Sequence, residues 1–172
     1  MREAELLFIK SCEASNLEKV QAYLTLAQDL EIDINAVDDK GRSAAHVAAR
    51  DGHTEVIRVL AATGRVDWNK ADRCGFTPLH VALFHGQLEM ARIIMKQDNI
   101  DLRLKTNYGW TLAMAAVTGR NASCVEFLAE QENFDCWNIP DDDGNTPLMK
   151  SIEFRNNKLL QVLLNCPRVD PI

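Results

Sequence analysis

Four histidines, five cysteines and a run of three aspartates are the residues of this 172-residue chain that invite a chemical role. His80 and His85 lie in "GFTPLHVALFHG" at 75–86, and five positions of a helix set them about 140° apart, not on one ligand face. A helical metal pair uses the spacing i, i+4, which no two of His46, His53, His80 and His85 have. His46 and His80 instead hold the same place in two similar segments, since "GRSAAHVAARDG" at 41–52 repeats the layout. That recurrence gives them a structural part, hydrogen-bonded to neighbouring backbone or hydroxyl groups, while His53 is expected to start a helix at the surface. Cys12, Cys74, Cys124, Cys136 and Cys166 form no CxxC pair, which removes zinc-ribbon and thioredoxin-type readings. Cys12 and Cys124 fall at apolar helix positions and are expected in the core. Asp141-Asp142-Asp143-Gly144 opens like a calcium loop, but Thr146-Pro147-Leu148 starts a helix where the later ligands belong. No GxSxG, GxxxxGK[ST], HExxH or GxGxxG is present. The expectation is a chain with no catalytic residues, no metal and no cofactor.

The elements that carry these residues follow a period. Gly41, Gly75 and Gly109 are 34 residues apart and Gly144 follows after 35. Behind them stand Ser43-Ala44-Ala45-His46, Thr77-Pro78-Leu79-His80, Thr111-Leu112-Ala113-Met114 and Thr146-Pro147-Leu148-Met149. Ahead of them Ile32-Asp33, Val66-Asp67, Ile100-Asp101 and Phe134-Asp135 keep the same spacing, and Val169-Asp170 begins it again. Each unit reads as turn, short helix, turn, helix. Thr77 suits an N-cap and Pro78 the first helical position; Ser43, Thr111 and Thr146 are equivalent caps. Gly52 and Gly86 end the first helix with positive φ. In the third unit the glycine, Gly119, comes one residue early, which predicts a shifted helix end. Apolar faces recur in the second helices at Val56, Ile57, Val59 and Leu60, at Met90, Ile93 and Ile94, at Val125, Phe127 and Leu128, and at Leu160, Leu163 and Leu164. Residues 5–30 fit a leading helix pair.

"DRCGFTPLHVALFHGQLEMARIIM" and "DDDGNTPLMKS" resemble the ankyrin repeat, whose consensus runs D-x-x-G-x-T-P-L-H-x-A-x-x-x-G. The resemblance covers about 5–170. It implies an all-α fold, an ankyrin-like α-solenoid of stacked helix-turn-helix repeats with β-hairpin-like fingers. The divisions expected within one repeat domain are a helix pair at 5–36 and repeats at 37–70, 71–104, 105–139 and 140–172. One such unit cannot bury its apolar face alone, so stability comes from neighbours. The family also suggests modification of finger asparagines such as Asn35 or Asn69, and implies a histidine that ties adjacent repeats together.

Totals narrow the partners. A formal net charge of −6 argues against a general phosphate-binding surface, so no nucleic acid is expected. "LLFI" before Lys10 is too short for a signal-peptide core, and no apolar run reaches about 18 residues, so no membrane span is expected. The chain reads as soluble, reduced and intracellular, cytoplasmic or nuclear, and 47% apolar content is enough for a core.

Function is then sought at positions the repeat leaves free. The resemblance places these beside the finger glycines and at the end of each first helix, lining a concave face. In this chain the partner-binding candidates are Lys40, Arg42 and Arg50; Arg73, Phe76, Phe84 and His85; Tyr108 and Trp110; and Asp142, Asn145 and Phe154. The aromatic members invite a binding hot spot, or else stiffen neighbouring fingers. Charge runs from Lys40, Arg42, Arg50 and Arg73 to Asp141, Asp142, Asp143 and Glu153, a polarity able to orient an extended partner. Trp68 and Trp137, in the inter-unit loops, are expected to seal adjacent stacks. "LLQVLLN" near the C-terminus stays apolar where a capping repeat shows a polar face. The expectation is a monomer whose C-terminal face stacks on further repeats of a longer array, or else an end covered by another subunit. The reading is a non-catalytic protein-interaction module, scaffold or adaptor, with a concave finger and helix face. A regulatory or targeting domain of a larger enzyme, channel or receptor is the alternative, and a metal-dependent or catalytic protein the remote one.

Overall fold

The structure, a computed structural model, describes residues 3–27, 29 and 31–170. Its helices fall into five consecutive pairs. The leading pair is α1 (Glu3–Glu13) and α2 (Leu17–Leu26). Unit 1 holds α3 (Ala44–Asp51) and α4 (Thr54–Ala62), unit 2 α5 (Pro78–Phe84) and α6 (Leu88–Ile94). Unit 3 holds α7 (Leu112–Thr118) and α8 (Ala122–Ala129), unit 4 α9 (Pro147–Glu153) and α10 (Asn157–Asn165). Odd-numbered helices pack in one row and even-numbered helices in another, each against its neighbours along the array. The fold is all-helical, as the period predicts. The fingers are turns, and no strand occurs among the described residues. Leu30, Pro171 and Ile172, at the edges of the expected divisions, lie outside the described residues.

Caps explain where the odd-numbered helices begin. Thr77, Thr111 and Thr146 accept from the backbone N–H of His80, Met114 and Met149, satisfying a donor that the first turn leaves orphaned. Pro78 and Pro147 occupy first-turn positions where no N–H is missed. At Ser43 the hydroxyl lies 2.8 Å from Nδ1 of His46.

Helix ends show a regularity hidden by residue type. A left-handed residue follows the first helix of every pair: Ser15, Gly52, Gly86, Arg120 and Arg155. Unit 3 therefore obeys the pattern through Arg120 (φ 60°), while Gly119 has φ −70°. Its helix ends at Thr118, the repeat position of Phe84 and Glu153, so the shifted end expected from the early glycine does not occur. Gly119 is there for another reason. A Cβ on it would run into the carbonyl oxygen of Phe84 in unit 2, so absence of a side chain permits the two units to close.

The core is continuous and built at the junctions. Val47, Ala48, Val56, Ile57, Leu83, Met90, Ile94, Val117 and Val125 are buried, as are Cys12 and Cys124. Burial pushes the Cys12 thiol up to about 12 and Cys124 to about 11, consistent with inert core residues. Trp68 and Trp137 are buried, and Trp137 meets Phe134 edge-on at 5.1 Å. Loops are laced by asparagines. Asn35 donates to Arg65 O at 2.9 Å and accepts from Asp67 N–H at 2.8 Å. Asn69 bridges Asn99 and Asp101, and Asn138 bridges Arg168 and Asp170, in the same way. These asparagines belong to inter-unit loops rather than fingers, and both ends of each amide are occupied. At the matching place unit 2 has Arg103, which pairs with Asp135 at 3.2 Å.

The far end differs. Leu159 and Leu163 of α10 are buried, but Leu164 is 59% exposed, so the apolar face read from "LLQVLLN" is only partly covered. Ile152 and Met149 of α9 are also exposed.

Candidate partner-binding face

The histidines resolve first. His46 sets Nδ1 against Ser43 and Nε2 2.9 Å from the carbonyl of Phe76, joining its own helix start to the next finger. His80 repeats the first contact, 2.8 Å from Thr77 Oγ1, while its Nε2 faces the backbone of Trp110 and Leu104 without a well-formed hydrogen bond. Burial holds His46 below the usual imidazole range and His80 at about 4, so both are neutral struts. His53 precedes α4 and sets Nε2 2.8 Å from Glu13 O, fastening unit 1 to the leading pair. His85 is exposed at the end of α5 and stands edge-on to Phe84.

Each finger is a tight turn wired by one polar residue. Asp38 Oδ1 accepts from the N–H groups of Lys40 and Arg42, Asp72 from Cys74 and Phe76, and Asp141 from Asp143 and Asn145. Asp141 is thus a buried turn residue, with this carboxylate oxygen engaged by its own backbone. In unit 3 the hydroxyl of Thr106 does the same for Tyr108 and Trp110. The glycine in each turn sits at positive φ, and in the first three a Cβ would meet the following finger. Successive fingers are zipped through backbone bonds from Arg73 to Lys40 O, Asn107 to Cys74 O and Asp142 to Tyr108 O.

These zips bring the aromatic candidates together. Phe76 lies 5.8 Å from Trp110, 6.3 Å from Phe84 and 6.4 Å from Tyr108. Phe84 stacks on Trp110 at 6.1 Å, and Tyr108 is tilted 5.7 Å from Trp110. The rings therefore pack sideways on one another across units 2 and 3. They are still not sealed: Phe76, Phe84 and Trp110 are half-buried and Tyr108 is 51% exposed. Stiffening and an open aromatic face coexist.

The charged candidates divide. Arg42 is bound to Asp38 through Nε at 2.8 Å and Nη2 at 2.7 Å. Burial would raise the Asp38 carboxyl, but hydrogen bonds from Arg42 and Lys40 prevail and hold it low. Arg50 grips both carboxylate oxygens of Asp51 and also reaches Glu13 at 2.9 Å. Lys40 and Arg73 are exposed and make no ion pair among the described residues. At the other end Asp142 and Asp143 are exposed and Asn145 is half-buried, while Glu153 is paired with Lys150 at 3.0 Å. Phe154 is not a bare ring: Arg120 lies over it at 4.8 Å.

A pocket of about 220 Å³ opens between units 1 and 2 on this face. Its lining includes Arg42, Arg50, Phe76, Phe84 and His85 from the candidates and adds Val81 and Asp72. Val81 was missed from sequence because Val47, Val81, Ala115 and Lys150 share one repeat position, and a valine there looks like core. Val47 and Ala115 are indeed fully buried there, and only Val81 and Lys150 are partly open, so the change to lysine in unit 4 was the one available signal. Arg120 was missed because its task, covering Phe154, crosses to the next unit.

The sequence matches a protein-family model described as ankyrin repeats (3 copies) over residues 8–106 and 97–171. No curated protein matches the chain. Ankyrin repeats are in general protein-interaction modules and typically non-catalytic, and no helix among the described residues is long and apolar enough to cross a membrane. The caps, strut histidines, zipped fingers and stacked pairs are the features of that repeat, and the chain belongs to the ankyrin repeat family.

Proposed function

We propose that this chain is a non-catalytic scaffold or adaptor that holds an extended segment of a protein partner along the concave face of its fingers and odd-numbered helices. The aromatic patch of units 2 and 3 is the anchor. The observation that carries this reading is its placement: Phe76, Phe84, Tyr108 and Trp110 occupy positions the stack does not need, yet form one contiguous, half-open surface. A fixed surface orders little on binding, and aromatics concentrate interface energy. Polarity along the face, Lys40 and Arg73 toward Asp142 and Asp143, sets the direction in which a segment lies.

The test is pull-down from native cells with the full chain, the Tyr108→Ala variant and the Tyr108→Ala/Trp110→Ala variant. A partner retained by the parent chain should lose about 2 kcal/mol of affinity, about thirtyfold, in the double variant. Equal retention by folded variants sinks the proposed face. A second reading, a regulatory or targeting domain of a larger protein, is favoured by one observation, the apolar end face bearing Met149, Ile152 and Leu164.

A further inference from the structure

The pocket between units 1 and 2 has more to say about the partner than the aromatic patch does. At about 220 Å³ it falls below the roughly 300–1,000 Å³ of small-molecule sites, and it is sized for a side chain. Phe76, Val81 and Phe84 make its floor apolar. The polar rim is donor-rich. Arg42 uses Nε and Nη2 on Asp38, and its Nη1 makes no hydrogen bond among the described residues. Guanidinium offers donors only, so that group asks for an oxygen. Two further cations without ion pairs among the described residues, Lys40 and Arg73, stand on the adjacent fingers, whose backbones are joined at 3.1 Å. Against them stand Asp39, exposed, and Asp72, whose Oδ1 is committed to the backbone of its own turn. The helix end of the pocket is different, since Arg50 is already flanked by Asp51 and Glu13. Unpaired positive charge therefore comes from Lys40 and Arg73 at the finger side, where Arg42, neutralised by Asp38, adds a spare donor, and acidic fingertips, Asp142 and Asp143, lie two units away.

We infer that this pocket takes one large apolar side chain of an extended segment, and that an aspartate or glutamate beside that anchor meets Arg42, Lys40 and Arg73 at the finger side. The inference rests on the concave-face reading above and specifies the chemistry of its ligand: an acidic–apolar linear segment laid with its acidic end over units 1 and 2. Ion pairing behind Arg42 holds that side chain in place before binding, which lowers the ordering cost. Salt weakens the contact, because fingertip charges are solvent-exposed.

A library of random linear peptides displayed against the full chain tests this without knowledge of the natural partner. Selected peptides should share a Leu, Ile, Met, Phe or Trp with an Asp or Glu within two positions. The tightest peptide should bind Val81→Glu about tenfold more weakly, and Lys40→Glu/Arg73→Glu about fivefold more weakly, the latter at low salt. The fingertip variant keeps the test readable if Val81→Glu unfolds, since both its sites are exposed. Peptides lacking the acidic residue, no selected consensus, or unchanged binding to both variants overturn the inference. Loss in Tyr108→Ala/Trp110→Ala with no change in the pocket variants leaves the aromatic face standing and removes the pocket. Loss in the pocket variants alone supports the pocket and removes the aromatic anchor.

Discussion

Unit 2 and unit 4 share the finger Asp-x-x-Gly and the Thr-Pro-Leu helix start in the same places, and within these 172 residues only unit 2 is packed on by a later unit. In unit 2, His80 and Leu83 are fully buried against α7. In unit 4 the equivalent Met149 and Ile152 are 37% and 49% exposed. The finger glycines differ likewise. A Cβ on Gly75 would lie 2.5 Å from the Asn107 nitrogen, while one on Gly144 would meet nothing within 4 Å. Equivalent positions, different consequence: residues at these repeat positions act on the junction, not on their own helix pair. This is the nearest-neighbour energetics of a repeat array seen at single positions.

The largest contrast is in the core of the junction. Leu83→Ala is expected to cost about 2–5 kcal/mol, because it removes a fully buried side chain from between two units. Ile152→Ala, at the same repeat position, should cost about 1 kcal/mol or less. Urea unfolding of the two variants decides it. Similar losses would mean that the last helix pair is stabilised independently of stacking. Gly119→Ala belongs with the large effects, at about 3 kcal/mol, because the added methyl meets the Phe84 carbonyl. Gly144→Ala carries only the strain of a positive φ, about 1 kcal/mol.

The histidine slot gives the next contrast, and it depends on pH. In the folded state His80 is held neutral, titrating near 4 because burial penalises the cation. Its unfolded value is near 6.5, so between those values the unfolded chain binds the extra proton. Its neutral form is fully accommodated above pH 6.5, and stability falls as pH drops toward 4. The full loss approaches about 3 kcal/mol. His46, shifted in the same direction by burial, adds to the slope. Units 3 and 4 use methionine in this slot, Met114 and Met149. His80→Met should therefore flatten the acid side of the stability curve. An unchanged slope between pH 6.5 and 4 would assign it to other groups.

How much of this could be read from residue types follows the same division. Features that sit at a fixed repeat position were open to inspection: the Ser and Thr caps, the strut histidines of units 1 and 2, the two buried loop tryptophans and the row of apolar second helices. Features that cross a junction were not. Gly119 looked like a displaced helix stop, because the sequence shows which residue is glycine and not which carbonyl approaches it. By residue type Arg50 belongs with the basic end of the face, but its neutralising partners include Glu13, 37 positions away in the leading pair. The aromatic residues could be gathered by period alone, since one unit's offset places Phe76 beside Trp110. Whether the rings were buried or open depended on the spacing between fingers, which no periodicity states.

The smallest contrast concerns the two arginines at the left-handed position. Arg155 and Arg120 both take positive φ where units 1 and 2 have glycine. Strain of about 1 kcal/mol is relieved by Arg155→Gly, partly offset because glycine widens the unfolded ensemble. A net gain of about 0.5 kcal/mol is expected. At Arg120 the same relief is opposed by loss of the guanidinium over Phe154, a cation–π contact of about 0.5 kcal/mol at an exposed site. Arg120→Gly should then be close to neutral, and should regain the Arg155-like benefit when made in a Phe154→Ala background. If both arginines respond alike in the parent chain, the ring contact contributes nothing, and Phe154 returns to the concave face as an uncovered aromatic.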